Sequence, residues 1–317
     1  MRFSRRLFMA AAAALLAAPV YAAEKLSIVA TTGMIADAAR QIGGELVDVR
    51  GLMGPGVDPH AYRQTRTDIV AMTRADLVLW HGLFLEAQME DFFHDLGERR
   101  NVVAVAEGLA KDALRGHDDY ADKYDPHVWM NPALWRDVVA EVRDALIATQ
   151  PENSAMFEAN ADAHMAELDR LVTYSKTALA TVPSEARVLV TAHDAFGYFG
   201  AAYDFDVLGI QGISTQSEAG LNRIGALVDL LVERQISAVF VESSVSDRSM
   251  RALIEGAAAK GHKVSVGGEL FSDAMGSEGT YEGTYIGMLD HNVTVIAGAL
   301  GGDVPARGMD NKLSAGF

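Results

Sequence analysis

Asp58-Pro59-His60 and Asp125-Pro126-His127 spell the same triplet twice, 67 residues apart and with different flanks. Proline fixes its own φ and biases the residue before it toward extended backbone. Each triplet therefore aims an imidazole from a stiff bend, with a carboxylate beside it. Such a carboxylate can take the second ring N–H of a metal-bound imidazole, or cap the helix that follows. Asp-Pro alone is an ordinary turn pair, but two copies that each follow a strand carry more information. A third imidazole, His193, ends the apolar stretch from Val188 to Ala192, with Asp194 next to it. A fourth candidate is Asp273, a few residues past the last strand in VSVGGELFSDAMGSEG. Three imidazoles and a carboxylate make a closed, near-tetrahedral set for a divalent transition metal. Spacing alone leaves Asp273 equally readable as a helix cap.

The chain has nine histidines, and the other six have plainer readings. His164 falls in a long helical run and reads as a solvated position. His262 follows Gly261 in a turn, and His94 and His291 lie in helical segments with no partner pattern. His81 ends the strand in LVLWHGLFLE and could border a cleft, although no rigid turn aims it. His117, in RGHDDYAD, reads as part of a short acidic loop able to touch metal only in passing. Glu242, in FVESS, would be the general base of a catalytic zinc centre; structural hydrogen bonding is its simpler use.

Positioning these residues requires strands that end where they begin. Short apolar, often β-branched runs predict strands over Leu26–Ala30, Val47–Leu52, Leu77–Trp80 and Val102–Val105, then Val188–Thr191, Val207–Ile210, Ala238–Val241 and Val264–Val266. Each precedes a segment of helical periodicity, such as MIADAARQI or IGALVDLLVERQ. That alternation predicts an α/β fold with mostly parallel sheets, four strands in each of two similar lobes, flanked by helices. Ligands in such sheets gather beyond the carboxyl ends of the strands, where His193 stands. Between the halves, residues 151–183 contain no glycine and one proline near each end, Pro151 and Pro183. They predict one rigid connecting helix of about 40 Å. The expected division is a leader over 1–23, lobes over 24–150 and 184–317, and this connecting helix.

Arg2, Arg5 and Arg6, an alanine-rich apolar run and Val20-Tyr21-Ala22 compose a secretory signal. Its paired arginines also suit the twin-arginine export route. The run is too short to span a bilayer, and no second one follows. Without cysteine, neither a lipid anchor at the cleavage point nor disulfides are expected, so a soluble periplasmic protein is predicted. Setting the leader's three arginines aside leaves 24 basic against 43 acidic residues, a formal charge of −19. A surface that negative repels nucleic acid and mildly concentrates cations.

GVDPHAYRQT, YDPHVWMNPALW, TAHDAFGYF, GISTQSEAG, AVFVESS and GELFSDAMG, in this order, resemble the periplasmic zinc/manganese solute-binding proteins that feed ABC importers. The resemblance covers nearly all of the chain beyond the leader. It implies two α/β lobes on one long backbone helix, with a cation held between them by His60, His127, His193 and Asp273. It also implies an inner-membrane permease as partner, a monomeric receptor and no enzymatic activity. The third ligand is glutamate in many manganese-selective relatives and histidine in others; here it is His193. Zinc-specific relatives often carry a long histidine-rich loop before the second ligand, here reduced to His117, Asp118 and Asp119. Imidazole-rich ligation favours Zn²⁺ on ligand softness, and the same set can hold Mn²⁺ as the alternative. Because imidazoles ligate only when neutral, binding should weaken as pH drops through about 6.5. The rival readings are a zinc-dependent hydrolase, which needs an open coordination position, and a sugar or amino-acid receptor, which needs aromatic and amide groups at the strand ends.

Overall fold

The computed structural model describes residues 25–117 and 120–314. The leader expected over 1–23 and the acidic pair Asp118 and Asp119 lie outside the described residues. In the first lobe β1 (Leu26–Ala30), β2 (Val47–Gly51), β3 (Leu77–Trp80) and β4 (Val102–Ala104) form a parallel sheet in the order β2-β1-β3-β4. Every residue of β3 is buried, as happens where helices cover both faces of a parallel sheet. Helices α1 (Gly33–Gly43), α2 (Arg66–Arg74) and α3 (Glu90–Gly97) connect these strands. Caps set where the helices begin. The Thr32 hydroxyl accepts the N–H of Ile35, and Thr65 and Asp68 form a capping box. The chain between β2 and α2 is thereby left as the irregular rim that carries His60.

The acidic stretch after β4 departs from the loop predicted for it. β5 (Gly116–His117) and β6 (Tyr120–Tyr124) pair antiparallel. The Asp125 N–H donates to the Arg115 carbonyl (2.8 Å), while the Arg115 N–H donates to the Tyr198 hydroxyl of the other lobe (3.0 Å). A partner 83 residues away in sequence therefore draws the flanks together, and local pattern carries no trace of it. After this hairpin α4 (Pro132–Thr149) starts at Asn131, which caps the Ala133 N–H, with Pro132 at the first helical position.

The connecting helix α5 (Ser154–Ala180) has 27 residues and follows a short 3₁₀ turn over Pro151–Asn153. Its buried stripe is Phe157, Ala161, His164, Leu168, Leu171, Ser175 and Ala178. That is a repeat of fours and threes, so His164 lies on the inward face and is 7% exposed. The solvated position read for it is corrected accordingly: α1, α4 and α9 (Tyr285–Ala299) all pack against this helix.

In the second lobe β7 (Val188–Thr191), β8 (Asp206–Gly209), β9 (Ala238–Glu242) and β10 (Ser265–Leu270) alternate with α6 (Gly197–Tyr203), α7 (Leu221–Glu233), α8 (Arg248–Ala259) and α9. The strands lie side by side, and their hydrogen-bonded ladders form two parallel pairs, β7 with β8 and β9 with β10, with β7 next to β9. One apolar core runs from the first lobe through α5 into α9. Trp135 and Tyr285 stack within it at 5.3 Å. The Tyr285 hydroxyl donates to the Trp129 carbonyl (2.7 Å), so the lobes are joined by packing as well as by the helix. Among the described residues no helix is long and apolar enough to cross a membrane.

Candidate metal centre

All four candidate residues stand beyond the carboxyl ends of strands, on the rims where the lobes face each other. His60 follows β2, and the Asp58 carboxylate accepts its backbone N–H (2.8 Å), so the first triplet is a closed turn. In the second triplet Asp125 Oδ1 accepts the backbone N–H of His127 (3.0 Å) and lies 2.7 Å from its ring Nδ1. A carboxylate can only accept, so the ring proton sits on Nδ1 and Nε2 faces the cleft. His193, two residues past β7, has the same arrangement from a distant partner. Glu242, at the end of β9, accepts its backbone N–H with Oε1 (2.9 Å) and faces its Nδ1 with Oε2 (2.5 Å). Asp194, the sequence neighbour, is not the group that orients the ring.

These turns bring one atom from each residue together. His60, His127, His193 and Asp273 offer ligand atoms that all lie within 4.8 Å of one another, among side chains at most 2% exposed. His60 Nε2 is 3.3 Å from His127 Nε2. Asp273 Oδ1 is 3.4 Å from His127 Nε2, and its Oδ2 is 3.2 Å from His193 Nε2 and 3.8 Å from His60 Nε2. A tetrahedron with metal–ligand bonds of about 2.0–2.1 Å has edges of about 3.3–3.4 Å. The spacings therefore suit one small cation.

The electrostatics suit it too. Outside the four-residue cluster, neither Asp273 oxygen nor His193 Nε2 has a hydrogen-bond partner among the described residues, although all three atoms are buried. Leaving a buried carboxylate without donors is costly unless a charge compensates it. Burial opposes ionisation of Asp273, but His193, His127 and His60 outweigh it and hold the carboxyl well below its usual range. Burial likewise opposes charge on His127, yet Asp125 and Asp273 lift it to about 9. His193 is raised well above 6.5 against the same burial, by Asp273 and Glu242. Among the described residues no outer carboxylate bonds the His60 ring, and burial lowers it to about 3.

A second layer holds the turns. The Trp129 indole N–H donates to the Ser272 carbonyl (2.8 Å), pinning the residue before Asp273. His81, whose position after β3 suggested only a place at the cleft, lies behind the second triplet instead. Its Nε2 is 2.7 Å from the Pro126 carbonyl, so it donates there, and its ring packs edge-on against Trp129. Three further histidines serve locally. His262 and His291 each face a backbone carbonyl, and His94 lies near Glu90 and Trp80. The structural partners of the centre, Glu242, Trp129 and His81, carry no spacing signal; only Asp125 was legible, from its triplet.

Comparison with known proteins places this geometry in context. The model of the family described as ZnuA, zinc-uptake complex component A, periplasmic, matches residues 28–299. The manganese-binding lipoprotein MntA of Bacillus subtilis is 48% identical over 277 residues, covering 87% of this chain and 90% of its own. The zinc-binding protein TroA of Treponema pallidum is 44% identical over 273 residues, covering 86% and 88%. The solved structure of that periplasmic zinc-binding protein superposes with a TM-score of 0.85, covering 87% of this chain and 99% of its own.

Proposed function

The chain belongs to the family of periplasmic zinc-uptake component A proteins, and from that premise we propose that it captures a divalent transition metal and delivers it to an ABC import permease. The cargo is Zn²⁺, with Mn²⁺ as the alternative, in keeping with relatives named for each metal. His60, His127, His193 and Asp273 are the proposed ligands. The single observation that carries the reading is their convergence around a buried carboxylate that has no other partner.

Capture replaces the ion's water shell with three imidazoles and one carboxylate. Asp273 neutralises part of the cation's charge, while Asp125 and Glu242 hold the ring protons on the far side of His127 and His193. Their acceptance raises the basicity of the ligating Nε2 atoms. Each lobe contributes two ligands, so a small relative motion can dismantle the set when the permease docks. The proposed working units are lobes over 24–150 and 184–317 and the connecting helix over 151–183. The receptor acts as a monomer in the periplasm after removal of residues 1–23, and its strong negative charge disfavours nucleic acid.

A zinc hydrolase is the weaker reading. Four converging ligands leave no position for a catalytic water, and both oxygens of Glu242, the base such an enzyme would need, are engaged by His193. The test is a titration of metal-free protein with Zn²⁺ and with Mn²⁺ against a competing chelator. One ion per chain is expected, with Asp273→Ala weakening affinity by more than about 100-fold, beyond what an outer-layer partner contributes. Unchanged affinity in that variant would remove the reading.

A further inference from the structure

The four ligand turns are not held equally. His127 is fixed by Asp125, by His81 behind Pro126 and by the Tyr198 hydroxyl, which donates to the Asp125 carbonyl (2.9 Å). His193 is fixed by Glu242, and the chain at Asp273 by Trp129 and by a Ser244–Ser272 hydroxyl pair. The His60 turn is closed by its own Asp58 and otherwise reaches across the cleft. There it meets the segment between β8 and α7. The Thr215 hydroxyl donates to Asp58 Oδ2 (2.5 Å), and the Gln216 amide donates to the His60 carbonyl (2.8 Å). A third bond runs from the Gln88 amide to Gln216 Oε1 (3.1 Å).

These contacts differ in kind from those on the opposite side of the molecule, where Trp135, Tyr285 and the continuous core weld the lobes. They are side-chain hydrogen bonds across the cleft, at part-buried or exposed positions that water can reach. The same first-lobe rim, through Met53, Gly54, Pro55 and Val57, borders a cleft of about 290 Å³ that reaches Asp273. One side of the His60 rim is thus latched, and beside the rim lies a cleft bordered by Asp273.

Building on the proposed metal capture, we infer that Thr215 and Gln216 form a latch across the metal site, holding the His60 turn in place, and that release begins at His60 when this latch opens. The two are positioning residues: they touch the ligand's turn and not the ion. Opening them removes one ligand of four while the other three keep their supports.

The experiment compares full-length receptor with Thr215→Val, Thr215→Ser, Gln216→Ala and the Val/Ala double variant. Zn²⁺ release into excess chelator is followed by stopped flow, and Co²⁺ absorption bands report the ligand set. Loss of two net hydrogen bonds predicts release about tenfold to thirtyfold faster in the double variant. Association should change by less than about threefold, because affinity changes fall mainly on dissociation. Thr215→Ser, which keeps the hydroxyl, should release at the wild-type rate, and all variants should keep the wild-type Co²⁺ spectrum. Release from the double variant within about twofold of wild type would overturn the latch. So would faster release accompanied by an altered Co²⁺ spectrum, since the residues would then be shaping the ligand set itself. A wild-type chain that takes up neither Zn²⁺ nor Co²⁺ would instead overturn the metal-capture reading on which the latch rests.

Discussion

At the scale of single residues, the centre works by placing protons as much as by placing ligands. In the metal-free receptor His127 holds its proton to about pH 9 and His193 is raised well above 6.5, in each case because nearby carboxylates outweigh burial. Their Nε2 protons must leave before an ion binds, so uptake near pH 7 should release about two protons per ion. Calorimetry in buffers of different ionisation enthalpy checks this, and a release below one proton would contradict the arrangement. Apparent affinity should keep rising with pH as His127 loses its proton around 9. The stability of the metal-free form has the opposite sign. A raised histidine pKa stabilises fully below 6.5, and the contribution is lost as pH climbs through about 9. Asp273, held below its usual range, adds stability above 3.8 that disappears only as pH falls through its lowered value. The thermal midpoint of metal-free protein should therefore decline from pH 7 to 10. Glu242→Gln can still orient His193 but no longer supports its basicity, and an outer-layer change of this type weakens metal binding about 10–100-fold.

At the scale of elements, the turns matter because strands and helices leave them no freedom. β8 ends at Gly209, where an added Cβ would lie 2.6 Å from the backbone nitrogen of Asp194 and 2.7 Å from the carbonyl oxygen of Gln211. Only glycine lets the rim that carries His193 and the rim that leads to Thr215 approach so closely. Gly209→Ala is expected to cost about 1–3 kcal/mol, as an overpacked site does, and to weaken Zn²⁺ binding as well; denaturant unfolding with and without Zn²⁺ separates the two effects. The connecting helix presents a different dependence. Leu168 is fully buried on its inward stripe, and Leu168→Ala should lower stability by about 2–5 kcal/mol while leaving the ligand turns, and hence one-to-one metal stoichiometry, in place.

At the scale of the whole molecule, an asymmetry governs motion. The lobes share one core through α5 and α9, yet across the His60 rim they meet through side-chain hydrogen bonds. Wide hinge opening would expose the shared apolar core, whereas a shift of one rim does not. Solution scattering should accordingly show a radius of gyration that changes by no more than about 1 Å on metal removal, the scale of a shear and not of domain opening. A larger expansion would mean that the core parts and that the seam described here does not restrain the lobes. Metal loading should still be visible thermodynamically, since a ligand at a thousand times its dissociation constant adds roughly 4 kcal/mol.

The amino-acid sequence by itself determined the strand and helix alternation, the long connector and the four ligand candidates. The elements are encoded locally in apolar periodicity, two ligands in the rigid bend of Asp-Pro-His and His193 in its place past a strand, whereas Asp273 was separable from a helix cap only through the family resemblance. It placed β1, β3 and β7 without error. It misjudged His164, although the repeat through Phe157, Ala161, Leu168 and Leu171 was there to be read. Tertiary structure alone decided what couples distant segments: the hairpin drawn together by Tyr198, Glu242 rather than Asp194 behind His193, and Thr215 and Gln216 across the cleft from His60. It also moved the expected loss of metal binding away from pH 6.5, because the carboxylates that lift His127 and His193 reach them only in the fold. Burial and charge act through space, and the spacing of residues along a chain does not measure either.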